Sequence, residues 1–179
     1  MDAIVHALSA GVLVELLLEG ERRWRGPLPG GRAALGAAAL VLGALSHLAL
    51  DALPHFNIVP HLSSWMGYLP RHWITRTVIV GAIAGLFVLV NTRERWGTAA
   101  LAVVGAASPD IEKIAHTDAG MDPRYLVFRD HGTRASSFDG GYDHRTLAYV
   151  EIGMVVFLAL LCLALARRRR GALRRGAAA

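Results

Sequence analysis

Two imidazoles and two carboxylates stand out as residues able to do chemistry together. They are His6, His47, Asp51 and Asp110, and all lie in or beside long apolar runs. His47 and Asp51 are four residues apart in Gly43-Ala-Leu-Ser-His-Leu-Ala-Leu-Asp-Ala-Leu-Pro-His55, so a helix puts both side chains on one face. Imidazole and carboxylate are ordinary zinc ligands, and this spacing suits two ligands of one ion. The bland reading is a helix end with a hydrogen-bonded His and a solvated Asp. Against it stands the setting, because ionisable groups inside apolar spans are costly and usually functional.

The elements that must position these groups are helices. Of 179 residues, 54% are hydrophobic and only 18% charged, less than the roughly 25% charged of soluble domains. The apolar runs approach the ~20 residues a membrane span needs. The expected fold is all-α: a polytopic membrane protein, one bundle of about five transmembrane helices at about 3–19, 33–53, 73–91, 97–115 and 146–166. Between them lie the segments 54–72 and 116–145, and a basic tail occupies 167–179. Pro54 should stop the second span, and Pro109 should kink or end the fourth. The single cysteine, Cys162, excludes an intrachain disulfide and a thiolate metal cluster.

Charge placement predicts orientation. Twelve of the nineteen Lys and Arg residues fall in three segments: Arg22, Arg23, Arg25 and Arg32; Arg93 and Arg95; and Arg167 to Arg170 with Arg174 and Arg175. Five spans put those segments on one side, which the positive-inside rule makes the cytoplasm. The chain is then expected in a membrane with its N-terminus outside and its C-terminus in the cytoplasm. The basic tail suits anionic lipid. No soluble basic domain accompanies the charge, so nucleic acid is not an expected partner.

Measured from the inner ends of their spans, His6, His47, Arg76, Asp110 and Glu151 each lie thirteen to fifteen residues up, about 20–22 Å at 1.5 Å per residue. Asp51 is one turn higher. Such a layer predicts a divalent metal site, zinc-like, with His6, His47, Asp51 and Asp110 as ligands. Glu151 or Asp51 would handle protons, and Arg76 would pair with Glu151 or hold an anionic group. The alternative for Arg76 is a snorkelling interfacial side chain. His55, Glu112, His116 and His144 are candidates to support the site from outside the ligand set. Glu15, deeper in the first span, either pairs across the bundle or is protonated.

At these residues the sequence resembles the bacterial membrane-bound metal-dependent hydrolase family. Leu45-Ser-His-Leu-Ala-Leu-Asp-Ala-Leu-Pro-His55 is similar to that family's Ser-His-x-x-x-Asp segment. Ser108-Pro-Asp-Ile-Glu112 is similar to its Pro-Asp-x-Asp segment, with Glu112 in place of the second Asp, and His6 matches an N-terminal His. The two segments stand in the opposite order, and of the family's His-Arg-Gly-x-Thr-His segment only His144-Arg-Thr has a faint counterpart. The resemblance implies metal-dependent hydrolysis. Set within one leaflet, such a site would act on a membrane lipid or a lipid-like ester or phosphoester. The rival expectations are a transporter of ions or protons, and a non-catalytic scaffold whose polar layer only holds helices together.

Overall fold

The computed structural model describes residues 3–23, 31–53, 73–92, 95–117, 119–128 and 143–176. Five long helices carry the described chain: α1 (Ala3–Arg23), α2 (Gly31–Asp51), α3 (Trp73–Asn91), α4 (Trp96–Thr117) and α5 (His144–Gly176). A short 3-10 turn, Pro123–Tyr125, lies between α4 and α5. The all-helical expectation holds, with no strand among the described residues. Three helical stretches are long and apolar enough to cross a membrane: Ala3–Arg23, Gly31–Asp51 and Arg145–Leu173. The apolar part of α3, Val78–Asn91, is shorter. The α4 helix carries Asp110, Glu112 and Lys113 near its end and is not among the three.

Glycines punctuate the helix ends where the chain must turn. Gly31 opens α2 at φ +57°, and Gly120 turns the chain after α4 at φ +68°, both in the left-handed region that side chains avoid. Pro109 does not end α4, which continues about two further turns to Thr117.

The directions of the helices follow from which residues meet. Gly11 lies against Val88 and Cys162, Gly81 against Ala3, and Glu15 against Arg169, so α1, α3 and α5 run the same way. Gly36 lies against Leu101 and Gly105 against Leu40, so α2 and α4 run parallel to each other. The His6–His47 and Ser9–Ser46 contacts set α2 antiparallel to α1. The α1 helix is the hub. Val5 to Val12, Val14, Glu15 and Leu18 are all buried, and α1 touches each of the other four helices. The most extensive pairing is α2 on α4. There the two backbones nearly touch: a Cβ on Gly43 would run into Ala102 and Ala106, and one on Gly105 would run into Leu40. Only glycine allows this approach, the small-residue packing expected of membrane helices.

One feature of the basic tail departs from the expected lipid-facing segment. The α5 helix continues unbroken through Arg167 to Arg170, and Arg169 turns inward. Its guanidinium grips Glu15 with both arms, Nε to Oε2 at 2.8 Å and an Nη to Oε1 at 3.2 Å. Arg169 and Arg170 both donate to the Asn91 carbonyl, at 3.3 and 2.9 Å, and so cap the end of α3. Glu15 therefore pairs across the bundle. Arg167 and Arg168 remain exposed.

Candidate metal centre

At the opposite end of α1 from the Glu15–Arg169 pair, three helices bring four polar side chains together. His6 and His47 stack face to face, with ring centroids 3.7 Å apart and planes 16° from parallel. Asp51 reaches both: Oδ1 lies 3.1 Å from His6 Nε2, and Oδ2 lies 3.3 Å from His47 Nε2. Asp110 Oδ1 stands 3.8 Å from His47 Nε2. His6, His47 and Asp51 each offer a ligand atom, all within 4.8 Å of one another. The i, i+4 spacing does what helical geometry requires, and α1 and α4 supply His6 and Asp110.

The tautomer of His47 follows from its other nitrogen. Nδ1 lies 2.6 Å from the Ala106 carbonyl oxygen, which only accepts, so Nδ1 carries the proton. In the neutral ring Nε2 then presents a lone pair toward the Asp51 and Asp110 oxygens. Lone pairs facing one another in a buried site repel unless a cation or a proton lies among them. His6 points the same way. It is buried, its Nε2 faces Asp51 Oδ1 at 3.1 Å, and its Nδ1 has no hydrogen-bond partner among the described residues. Buried polar atoms without partners are rare and call for an explanation such as an ion.

The ligand atoms can be compared with the edge of a small tetrahedral site. Ligand atoms about 2.0–2.1 Å from a tetrahedral centre lie about 3.3 Å from one another. The 3.1 and 3.3 Å pairs are near that edge but use the two different oxygens of Asp51, and the Asp110 pair at 3.8 Å is wider. The donor set, two imidazoles and two carboxylates, is one that zinc takes.

The other expected site residues lie elsewhere. Glu112 accepts a hydrogen bond from the Phe128 backbone N–H at 2.7 Å, tying down the chain after α4. His116 Nδ1 lies 2.8 Å from the Met121 carbonyl oxygen and closes the turn at Gly120. His55 and the side chains of Arg76 and His144 lie outside the described residues. The equal-depth expectation fails for Glu151 and Arg76. Cys162 is level with Gly11, and Glu151 is eleven residues above Cys162 while His6 is five above Gly11, which lifts Glu151 about 9 Å farther out than His6. The same reckoning from Gly81 and Val88 raises the Arg76 backbone about 11 Å above His6. The ends of the helices are not level. The α5 helix runs on past Ala166, and α3 stops short of the inner end of α1. Glu151 is nevertheless buried.

Several supporting groups were not singled out in the sequence. Ser9 Oγ donates to the His6 carbonyl at 2.8 Å and meets Ser46 Oγ at 3.4 Å, next to the stacked rings. Both serines neighbour the histidines in sequence, Ser9 three residues after His6 and Ser46 directly before His47, which is the available signal. The Ala106 carbonyl could not be read from sequence, because its role depends on how α2 crosses α4. Compared with known proteins, the chain matches no protein-family model, no curated protein and no solved structure.

Proposed function

We propose that this chain is a membrane-embedded, metal-dependent hydrolase that acts on a lipid or lipid-like ester or phosphoester. The observation that carries the reading is the inward-facing Nε2 of His47, its proton committed elsewhere, beside a buried His6 whose Nε2 faces the same Asp51, with Asp110 as a second carboxylate. His6, His47, Asp51 and Asp110 would hold one zinc-like ion. Such an ion supplies Lewis acidity and a water that ionises near neutral pH. Asp51, with one oxygen toward each imidazole, holds the two rings in register and is the nearest carboxylate to take a proton. Burial of His6 and His47 keeps bulk water from their side, while Asp51 and Asp110 are the partly exposed members and mark the face that substrate reaches.

Leu53 and Ile111, close in sequence to Asp51 and Asp110, are exposed apolar residues that would meet acyl chains, which favours a substrate that stays in the membrane. The expected setting is the outer leaflet of a bacterial cytoplasmic membrane, with the N-terminus outside and the basic inner end on anionic lipid. A transporter is less well supported. Ala10, Val14, Ala39, Val88 and Ala102 are all fully packed between the histidine cluster and the Glu15–Arg169 pair. That dry layer separates two polar ends which a transport path would join.

The test is elemental analysis of purified protein with His47→Ala and Asp110→Ala, followed by ester and phosphoester hydrolysis in detergent without a gradient. Bound metal near one per chain, lost in both variants together with hydrolysis, is expected. Metal at wild-type level in both variants would remove the site, and hydrolysis that persists without metal would remove the mechanism.

A further inference from the structure

Pro109 sits inside α4, one residue before Asp110. A proline in a helix has no N–H for the carbonyl four residues back, and its ring forces that turn open. The carbonyl deprived here is that of Gly105. Ser108 Oγ donates to it at 2.7 Å, so the lost backbone bond is replaced from within the same turn. The next carbonyl along, that of Ala106, accepts from His47 Nδ1 at 2.6 Å. The same turn is the one that α2 approaches most closely, with Gly43 facing Ala102 and Ala106 and Gly105 facing Leu40. Three consecutive features of Ser108-Pro109-Asp110 thus bear on one imidazole.

We infer that Ser108 and Pro109 are positioning residues for His47: Pro109 opens the turn so that the Ala106 carbonyl reaches the imidazole, and Ser108 stabilises the opened turn by taking the Gly105 carbonyl. The inference rests on the metal-site reading for its consequence, since a ligating histidine is held in its tautomer by the hydrogen bond of its other nitrogen. It gives the Ser-Pro-Asp run a physical meaning. Asp110 supplies a carboxylate, and the two residues before it aim the imidazole that the carboxylate faces. Without the proline, the turn closes toward regular helix, the Ala106 carbonyl draws in toward the α4 axis, and His47 loses the partner that keeps the proton on Nδ1.

The experiment uses full-length protein in detergent micelles, labelled with 15N-histidine, with the His47 signals identified by their absence in His47→Gln. Metal-free protein is read for which ring nitrogen bears the proton, and Co2+ is then titrated as the probe ion by its visible absorption. Wild type should show the proton on Nδ1. Pro109→Ala should shift His47 toward the other tautomer or a mixture and weaken Co2+ binding about 10–100-fold, the usual effect of removing a ligand's supporting contact. Ser108→Ala should move both readouts in the same direction, and Ser108→Thr, which keeps the hydroxyl, should restore them. A folded Pro109→Ala with wild-type tautomer and Co2+ affinity would overturn the inference. If Pro109→Ala does not fold, wild-type behaviour of Ser108→Ala would overturn it equally. Should wild type take up no Co2+ while His47 still holds its Nδ1 proton and loses it in the variants, the metal reading fails and the positioning role stands.

Discussion

Gly43→Ala is the substitution for which the structure sets the sharpest expectation. A Cβ built there would lie 2.9 Å from the Ala106 nitrogen and 3.1 Å from the Ala102 carbonyl carbon, with the Ala102 oxygen nearer still. Comfortable carbon contacts begin at about 3.5 Å. Relief at Ala106 alone needs about 0.6 Å, and relief at the Ala102 oxygen needs more, so α2 and α4 must part by on the order of 1 Å. All of these neighbours are backbone, which cannot rotate away as a side chain would. The parting is passed one turn along to His47, whose Nδ1 bond to Ala106 O is 2.6 Å and whose Nε2 is already 3.8 Å from Asp110. Metal sites tolerate about 0.2 Å in ligand distance, so a shift of this size should remove Asp110 from any shared ion. The expected result is a stability loss of about 1–3 kcal/mol from overpacking, and metal affinity lower by about 10–100-fold. Thermal unfolding in detergent reads the first, and competition with a chelator of known affinity reads the second. Gly153→Ala is the control, because a Cβ at Gly153 meets nothing within 4 Å. A folded Gly43→Ala that binds metal as tightly as wild type would refute the reasoning, for it would mean that the close crossing does not set the site.

Three further expectations can be checked separately. In intact cells, a cysteine placed at Ser137 should react with an impermeant thiol reagent and one at Ala178 should not; the reverse pattern would invert the orientation and the outward-facing site with it. Glu15→Gln should cost about 3–5 kcal/mol, because it removes the buried carboxylate that the Arg169 guanidinium grips. The double variant Glu15→Leu with Arg169→Met should recover most of that loss in thermal melts, and metal content at the far end of α1 should not change in either. At the start of α5, the backbone N–H groups of Thr146 and Arg145 hold the Asp143 carboxyl below the usual carboxylate range. Its capping contribution is therefore present above the ordinary Asp value of about 3.9 and is lost as pH falls through the depressed folded value. Amide exchange at Thr146 and Leu147 should accelerate at that acid end, and an exchange profile for Asp143→Asn that kept the same acid dependence would assign the effect to another group.

Much of the architecture was legible in the residues themselves. Apolar runs of span length dictate helices, because a backbone away from water must satisfy its own hydrogen bonds. The run from Gly43 to Pro54 states its own geometry: His47 and Asp51 one turn apart on one face, with small residues where another helix can come close. These local rules place His47 and Asp51 without any knowledge of the fold. That His6 and Asp110 join them was anticipated by counting along helices, and it holds because α1, α2 and α4 pack with these residues at nearly one height. The same counting misplaced Glu151 and Arg76, since helix length in sequence says nothing of how one helix slides against another. Side-chain interlock decides that, here Gly11 against Val88 and Cys162. Likewise, sequence marks Arg169 as one of a basic cluster, while only the packed bundle shows that it turns inward to Glu15, 154 residues away. The proton on His47 Nδ1 is decided by tertiary structure too, because it depends on a carbonyl of another helix, and the closeness of that carbonyl depends on two glycines meeting backbone to backbone.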